Sequence, residues 1–228
     1  MMETKVTQNT TAWKMARLGR WNGSELHQLM KAGRKKEEIF GDTARTYIYE
    51  VASQRNLLPK YRENEDCFLE YDELNFGGNK FTDYGHLHEE EAAQACRFYL
   101  DGVLDIRECG SFTHDTIPNL AASPDRIMTM TDGEAVLEIK CPQPKTWLKY
   151  LAEISDAATL LAVKPEYYYQ LHAEMMCTGL SVAYICFYSH FEQGGIHVVR
   201  VTLEEATAAA IKGRIEAAEN IINNLLNL

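Results

Sequence analysis

A pair of short apolar runs separated by Asp132-Gly133 constrains the fold of this chain more than any other feature. Residues 107–140 consist of such runs, and residues that favour turns lie between them. Asp-Gly readily adopts the backbone of a two-residue turn, so we predict a hairpin of two antiparallel strands that meet there. A chain that contains this hairpin contains a β-sheet.

The second strand of the predicted hairpin carries charged side chains among apolar ones. Successive side chains of a strand point to opposite faces of the sheet. Val136, Glu138 and Lys140 therefore share one face. Leu137 and Ile139 point to the other face. An acid and a lysine are thus expected side by side at the end of this strand.

Asp125 lies near the start of the first strand, and the hairpin brings it beside the end of the second. The carboxyl groups of Asp125 and Glu138 are then expected to converge with the amine of Lys140. Two carboxylates suit Mg²⁺, which prefers oxygen ligands, and Lys140 can orient a water or offset developing charge. This cluster is typical of phosphodiester hydrolysis. The same residue types on a half-exposed strand are also typical of a solvated surface, so spacing alone leaves both interpretations open.

Hydrophobic periodicity predicts further helices and strands on both sides of the hairpin. Ser24 is a suitable N-cap for the first of these helices. Residues 60–80 are polar and are expected to form a loop with at most a short helix. Helices are expected at residues 24–32, 43–53, 86–100, 165–178 and 203–227, and strands at residues 182–188 and 196–201.

These elements predict one α/β domain over residues 1–228, with a central mixed β-sheet flanked by α-helices. Residues 1–12 are expected to be loose, residues 107–201 to form the sheet-containing core, and residues 203–227 to form a C-terminal helix. A length of 228 residues supports a single buried core. Neither a signal peptide nor an apolar run of the roughly 20 residues that cross a membrane is evident. The six cysteines lack zinc-binding spacing, so we expect reduced thiols and a soluble, cytoplasmic protein.

The formal net charge of −10 argues against an open basic face for nucleic acid. Phosphate contacts depend on clustered Lys and Arg side chains. Carboxylates that hold metal ions add negative charge, however, and a protein can confine its positive potential to a groove or channel. The charge therefore restricts where nucleic acid can bind without excluding it.

Two segments resemble a known nuclease signature. Residues 124–125 (Pro-Asp) and 138–140 (Glu-Ile-Lys), separated by one hairpin, are similar to the Pro-Asp…(Asp/Glu)-x-Lys signature of restriction-endonuclease-like nucleases. The longer strings at 122–125 and 137–142 resemble segments of the lambda exonuclease family of phage recombination nucleases. This resemblance implies a restriction-endonuclease-like core.

Further segments resemble other motifs of that family, in the same order along the chain. Together the matches extend from residue 13 to about residue 180. Arg126 and His172 depart from the pattern, because the family often has Gly and Gln at these positions. The additional matching residues are Trp13, Arg17-Leu18-Gly19 and Ser24-Glu25 near the N-terminus, Glu89 and Ala92 in a helix, and Tyr167 and Gln170 in a late Tyr-x-x-Gln element.

The resemblance implies the ligands of a metal centre. Asp125 and Glu138 would bind Mg²⁺, with Mn²⁺ as a substitute and one or two ions per site. The carbonyl of Ile139 would add a ligand, and Glu89 would complete the acidic cluster. Lys140 would assist the attacking water. Taken alone, Glu89 is equally well explained as an acid near the N-terminus of a helix.

The resemblance also implies substrate contacts. Arg17 and Ser24 would bind the 5′-phosphate of a DNA end, a role that suits a guanidinium and a hydroxyl. Gln170, Ser123 and Tyr167 would contact the substrate strand. Local pattern alone favours a surface charge for Arg17, a helix cap for Ser24 and a core or rim aromatic for Tyr167.

The function implied by the resemblance is a magnesium-dependent 5′ to 3′ exonuclease that digests one strand of linear double-stranded DNA. It would leave 3′ overhangs for phage-type recombination. The implied partners are DNA ends, a single-strand annealing protein and two further copies in a homotrimeric ring. The implied setting is a phage or prophage protein in the cytoplasm of a bacterial host. An endonuclease or branched-DNA resolvase on the same fold, or a non-catalytic protein that binds DNA ends, remains an alternative.

Overall fold

The computed structural model describes residues 2–35, 38–75 and 80–227, and the side chains of these residues except 2, 75 and 80–86. Runs of consecutive helices and runs of consecutive strands follow one another along the chain, and together they form a fold that contains both α-helices and β-sheets. The strands are β1 (Met2–Thr4), β2 (Trp21–Asn22), β3 (Val103–Glu108), β4 (Ser111–Thr113), β5 (Leu120–Ala122), β6 (Arg126–Met130), β7 (Gly133–Lys140), β8 (Val182–Tyr188) and β9 (Ile196–Thr202). The α-helices are α1 (Thr11–Arg17), α2 (Leu26–Leu29), α3 (Asp42–Arg55), α4 (Pro59–Glu63), α5 (Glu65–Asn75), α6 (Lys80–Tyr99), α7 (Pro144–Glu153), α8 (Ala157–Val163), α9 (Pro165–Thr178) and α10 (Glu205–Leu226).

The larger sheet has five strands in the order β3-β6-β7-β8-β9. The predicted hairpin is confirmed, because β6 and β7 are antiparallel with Arg126 opposite Leu137 and Met130 opposite Gly133. Gly133 has a φ of +140°, a conformation that glycine adopts at little cost. β7 runs parallel to β8, and β8 pairs antiparallel with β9. The sheet is therefore mixed, as predicted.

Both faces of β7 are covered by apolar side chains. Val136 packs in one cluster with Leu171 of α9. Leu137 and Ile139 pack in a different cluster with Ala92 of α6. The predicted alternation of side chains along this strand is confirmed. Helices on both faces thus make β7 a central, buried strand.

A second sheet, with strand order β1-β4-β5-β2, has no counterpart among the sequence-based expectations. The expectation that residues 1–12 are loose is wrong for Met2–Thr4, which pairs antiparallel with β4. The Thr4 hydroxyl donates to the Ser111 carbonyl at 3.0 Å, and the Glu3 carboxylate accepts from the Gly110 backbone N–H at 3.1 Å. Strands of two or three residues carry too little alternation to be recognised, and their partners lie far along the chain.

Several helices match their predicted positions. The helices expected at 43–53, 86–100, 165–178 and 203–227 correspond to α3, α6, α9 and α10, with shifted ends. Helices α7 and α8 were not anticipated by the sequence pattern. None of the helices in the described part of the chain is long and apolar enough to cross a membrane.

Two predicted segments differ from the structure. Residues 24–32 do not form one helix, because a 3-10 turn over Gly23–Glu25 leads into the short α2. Asn22 occupies the N-cap position, so Ser24 is not a helix cap. Residues 60–80 contain α4 and α5 rather than a loop, although residues 76–79 lie outside the described residues. Among the described side chains of α5 only Phe68 and Asp72 are buried, and so narrow a buried face gives little helical periodicity.

Glu219 of α10 joins the C-terminal helix to the rest of the fold. Its carboxylate accepts hydrogen bonds from the Arg55 guanidinium at 2.7 and 2.8 Å and from the Trp21 indole N–H at 2.7 Å. Arg55 also donates to the Gly19 carbonyl at 2.7 Å. One carboxylate thus fixes α10 against α3 and the second sheet.

We expect Glu219→Ala to lower the free energy of unfolding by about 2 kcal/mol or more, because it leaves a partly buried guanidinium without its partner. Urea denaturation measures this change. Glu216→Ala is the matched control, since Glu216 lies on the same helix, is exposed and forms a surface ion pair with Lys212 at 3.8 Å. It should change stability by less than about 0.5 kcal/mol. Equal effects of the two substitutions would contradict the anchoring role of Glu219.

Candidate active site

Asp125 is held against the end of β7, as the hairpin predicts. It directly precedes β6, and its Oδ2 accepts a hydrogen bond from the Ile139 backbone N–H at 2.7 Å. Burial and the neighbouring Glu138 raise the pKa of Asp125. Lys140 opposes this rise in part, and Glu89 adds to it. The Asp125 carboxyl therefore lies in an environment with an excess of negative charge.

Glu138 is the centre of the cluster. It is only 2% exposed, and its Oε1 accepts hydrogen bonds from the Lys140 ammonium and from the Gln170 side-chain amide, the latter at 2.6 Å. Its Oε2 is buried and has no hydrogen-bond partner among the described residues. A buried carboxylate oxygen without a partner is costly unless a ligand compensates it. This oxygen fits a bound cation.

Lys140 supplies the positive charge of the cluster. Burial alone would lower its pKa, but the carboxylates of Glu138 and Asp125 outweigh burial and raise the pKa. The amine therefore stays protonated over the physiological range. Its Nζ lies 5.2 Å from the ring centroid of Tyr167, a partly buried aromatic that also packs against Phe187. Tyr167 thus forms one wall of the site.

Glu89 lies on α6 and faces the same cavity as Asp125. The cavity has a volume of about 590 Å³, and Arg126 and the chain segment 5–9 also contribute to its lining. Arg126 replaces the glycine common in the family that the sequence resembles, and its guanidinium donates to the Asp125 carbonyl at 2.8 Å. The predicted third acid therefore lines the same cavity as Asp125 and is close enough to influence its charge.

Glu174 is a fourth acid of the cluster that the sequence analysis missed. It is 1% exposed, and its Oε1 accepts a hydrogen bond from the Gln170 amide at 2.9 Å. Burial, followed by Glu138 and Asp125, raises its pKa. One signal was available, because Glu174 follows Gln170 by four residues and so shares its face of α9. The Gln170 amide nitrogen donates to two buried carboxylates at once.

The residues expected to bind a DNA end form a second group. The Arg17 guanidinium donates to the Ser24 hydroxyl at 3.0 Å and lies 4.3 Å from the ring centroid of Trp13. The Trp13 indole N–H donates to the Ser123 hydroxyl at 3.1 Å. Ser123 lies two residues before Asp125. The two predicted groups are therefore connected through Trp13.

The arrangement has the parts that a metal-dependent hydrolase needs. Carboxylate oxygens suit a hard divalent cation, and the unpartnered oxygen of Glu138 and the raised pKa of Asp125 both indicate uncompensated negative charge. A charged lysine beside them can stabilise an anionic transition state. Asp125 is hydrogen-bonded to Ile139, and Glu138 is hydrogen-bonded to Lys140 and Gln170. The two sets are adjacent because Glu138, Ile139 and Lys140 are consecutive residues of β7.

Comparisons with known proteins identify the family and the fold of the chain. Residues 12–181 match the family model of the YqaJ-like viral recombinase domain. A search of curated proteins finds no significant match. Solved structures of two exonucleases have a similar fold at low sequence identity.

The first is an alkaline exonuclease (LHK-Exo) from Laribacter hongkongensis, with 22% identity and a TM-score of 0.73 over 96% of this chain and 95% of that chain. The second is a phage-related exonuclease from Haemophilus somnus 129PT, with 18% identity and a TM-score of 0.67 over 90% and 94% of the two chains. LHK-Exo has also been solved in complex with dAMP, and that structure matches with a TM-score of 0.73. The predicted α/β fold, with a central mixed sheet flanked by helices, is confirmed and is shared with these exonuclease structures.

Glu174→Gln tests the excess of buried negative charge. A carboxyl whose pKa is raised in the folded state binds its proton more tightly there than in the unfolded chain. Its contribution to stability is greatest below the unfolded pKa and is lost as the pH rises through the folded pKa. We therefore expect Glu174→Gln, in EDTA, to raise the melting temperature at pH 8 by at least about 2 °C and to change it less at pH 5.

Calorimetry at the two pH values measures this difference. Glu73→Gln is the control, because Glu73 is an exposed acid on α5. A Glu174→Gln variant that melts at a lower temperature than the parent at pH 8, or whose pH dependence equals that of Glu73→Gln, would contradict the prediction.

Proposed function

The chain belongs to the YqaJ-like viral recombinase domain family, and from this premise we propose that it is a metal-dependent deoxyribonuclease. Its substrate is linear double-stranded DNA, from which it digests one strand in the 5′ to 3′ direction and leaves 3′ overhangs. The observation that carries the proposal is the convergence of Asp125, Glu138 and Lys140 at the end of one hairpin. A binding module has no chemical need for two buried carboxylates and a lysine at one point.

Mg²⁺ is the proposed cofactor, and Mn²⁺ is a proposed substitute. Asp125 and Glu138 would hold it, with the carbonyl of Ile139 and the carboxylate of Glu89 as further oxygen donors. Bound there, the ion supplies Lewis-acid chemistry, since it polarises a phosphate and lowers the pKa of a water. One or two ions per site are compatible with this donor set.

The protein's own side chains orient the reacting groups. Lys140 stays protonated beside Glu138, so it can donate a hydrogen bond to the attacking water and offset charge that develops on the phosphate. Gln170 keeps its amide N–H groups on Glu138 and Glu174, which holds the Glu138 carboxylate in a fixed orientation. Asp125 is fixed by the Ile139 N–H. Preorganised groups of this kind lower the barrier because they need no rearrangement during the reaction.

Arg17 and Ser24 are the proposed contacts for a terminal 5′-phosphate. Their side chains are already hydrogen-bonded to each other, and a guanidinium and a hydroxyl both donate well to phosphate oxygens. Trp13 links this pair to Ser123, close to the metal ligands. Ser123 and Tyr167 are proposed to contact the strand that is cut, whereas the predicted contact of Gln170 is replaced by a positioning role, because Gln170 is buried and its amide nitrogen donates to Glu138 and Glu174.

We propose a phage or prophage protein that acts in the cytoplasm of a bacterial host beside a single-strand annealing protein. A homotrimeric ring would let three subunits collect their basic side chains around a channel while the outer surface stays acidic. This arrangement reconciles DNA binding with the formal net charge of −10.

We expect Glu138→Ala and Lys140→Ala each to lower the rate of digestion of linear duplex DNA by at least about 10²-fold. Each change removes either a metal ligand or the charge that assists the water. A time course with Mg²⁺ or EDTA measures the rate, and EDTA should abolish it. Glu134→Ala is the matched control for the acid, because Glu134 lies on the same strand and is exposed. Lys149→Ala, at an exposed lysine of α7, is the control for the amine.

The form of the DNA separates the proposed activity from its competitors. Linear duplexes should be digested, and covalently closed circles should stay intact. Cutting of circles would indicate an endonuclease or a branched-DNA resolvase on the same fold. Binding of DNA ends without digestion would indicate a non-catalytic protein, and undiminished cutting by both active-site variants would exclude the proposed mechanism.

Arg17→Ala should reduce the preference for a 5′-phosphate over a 5′-hydroxyl by about 10-fold or more, because a hydrogen bond to a charged group contributes about 1.5–3 kcal/mol. The measurement compares initial rates on two linear duplexes that differ only in their 5′ end. Arg20→Ala is the control, since Arg20 lies nearby and its side chain donates to the Ala16 carbonyl. An equal loss of rate on both substrates would show that Arg17 does not recognise the phosphate.

A further inference from the structure

Two histidines and a glutamate form a cluster that the proposed nuclease mechanism does not use. His88 and Glu91 lie on α6, and His190 follows β8 in the connection to β9. His88 Nδ1 lies 2.9 Å from one Glu91 oxygen, and His190 Nδ1 lies 3.0 Å from the other. His88 and Glu91 are three residues apart, whereas His190 is 99 residues from Glu91 in the chain. The fold therefore brings them together.

The cluster has the dimensions of a small metal site. One possible ligand atom from each residue lies within 4.8 Å of the other two. In a tetrahedral zinc site, with bonds of about 2.0–2.2 Å, neighbouring ligand atoms lie about 3.3–3.5 Å apart. The nitrogen–oxygen distances of 2.9 and 3.0 Å, each to a different oxygen of Glu91, are a few tenths of an ångström shorter than this separation. Ligand atoms that are up to 4.8 Å apart would have to move closer together to share one ion.

The surroundings of the cluster are also suitable. The His88 side chain is 15% exposed, whereas His190 and Glu91 are about half exposed. The two imidazole rings stack, with centroids 5.1 Å apart and an angle of 28° between their planes. The packing around His88 thus fixes the position of one of the three side chains. The exposed side of the cluster leaves space for a water as a fourth ligand, as in a zinc site with three protein ligands.

We propose that His88, Glu91 and His190 bind a borderline divalent cation of the zinc class. Imidazole nitrogens suit Zn²⁺, Co²⁺ or Ni²⁺, whereas Mg²⁺ prefers an all-oxygen site such as the acidic cluster around Glu138. On binding, the metal takes the place of the hydrogen-bonding proton at each Nδ1. A neutral ring moves that proton to Nε2, whereas a protonated ring keeps its Nε2 proton and releases the Nδ1 proton to the solvent. The two centres therefore differ in donor type and select different ions.

A metal at this point would connect two parts of the fold. It would join α6, which carries Glu89, to the connection between β8 and β9. Strand β8 lies beside β7, which carries Glu138 and Lys140. The ion would thus act as a clamp between the helix and the sheet that together form the candidate active site. Because the clamp binds only the folded chain, it would stabilise the fold.

Zinc titration of the untagged, full-length protein tests the proposal. The titration is followed by calorimetry in excess Mg²⁺, so that Mg²⁺ occupies the acidic cluster around Glu138 while Zn²⁺ is added. We expect one equivalent of Zn²⁺ to bind, and Co²⁺ to give the visible absorption of a four-coordinate ion. Removal of a residue that only hydrogen-bonds to a metal ligand weakens metal binding by about 10-fold or more. Removal of a ligand itself, in His190→Gln or Glu91→Gln, should therefore weaken zinc binding by at least that factor.

His114→Gln is the matched control, because it removes a histidine from the connection that follows β4 and leaves the cluster intact. Zinc should raise the melting temperature of the parent and of His114→Gln, and not that of His190→Gln or Glu91→Gln. The six cysteines are free thiols and are present in every variant, so binding by thiols would persist in all of them. Zinc affinity that is equal in all variants, or no stoichiometric binding by the parent, would overturn the proposal. Neither outcome depends on nuclease activity.

Discussion

The central position of β7 is the constraint on which the rest of the structure depends. It is flanked by β6 and β8 and covered on both faces, so a polar side chain in its buried part cannot reach bulk water. Glu138 is such a side chain, and a buried carboxylate is tolerated only when other groups compensate its charge. Lys140 on the same strand and Gln170 on α9 provide this compensation in part. The packing of the sheet therefore determines which residues must surround Glu138.

The compensation within the protein is incomplete, and this connects stability with function. Asp125, Glu138 and Glu174 lie close together, and burial, followed by the charge of the neighbouring carboxylates, raises the pKa values of Asp125 and Glu174. Charge imbalance of this kind is unfavourable for folding but favourable for binding a cation, because a bound cation neutralises the excess negative charge. Sites with strongly shifted pKa values are often functional for this reason. The same imbalance that costs stability thus supports the proposed metal centre.

The parts of the molecule that depend on local pattern could be predicted from sequence. The Asp132-Gly133 hairpin and the opposite faces of Val136 and Leu137 follow from turn chemistry and the two-residue period of a strand. The second sheet could not be predicted, because strands such as Trp21–Asn22 are too short to show a period and pair with distant residues. Glu174 was missed for a related reason. Its role depends on the packing of α9 against β7, which spacing along the chain does not reveal.

The link between the two predicted groups of side chains follows from contacts that no motif contains. The indole N–H of Trp13 donates to Ser123, and the Gln8 side-chain amide donates to the Pro124 carbonyl at 2.7 Å. Both bonds attach the N-terminal segment to residues that immediately precede Asp125. The Arg17 guanidinium lies over the Trp13 ring, and Trp13 is hydrogen-bonded to Ser123. These two contacts hold the guanidinium in position relative to the carboxylate cluster. In the proposed function, these contacts fix the distance between a bound strand end and the point of hydrolysis. An enzyme that cuts at a set distance from an end needs such a rigid connection more than it needs additional contacts with DNA.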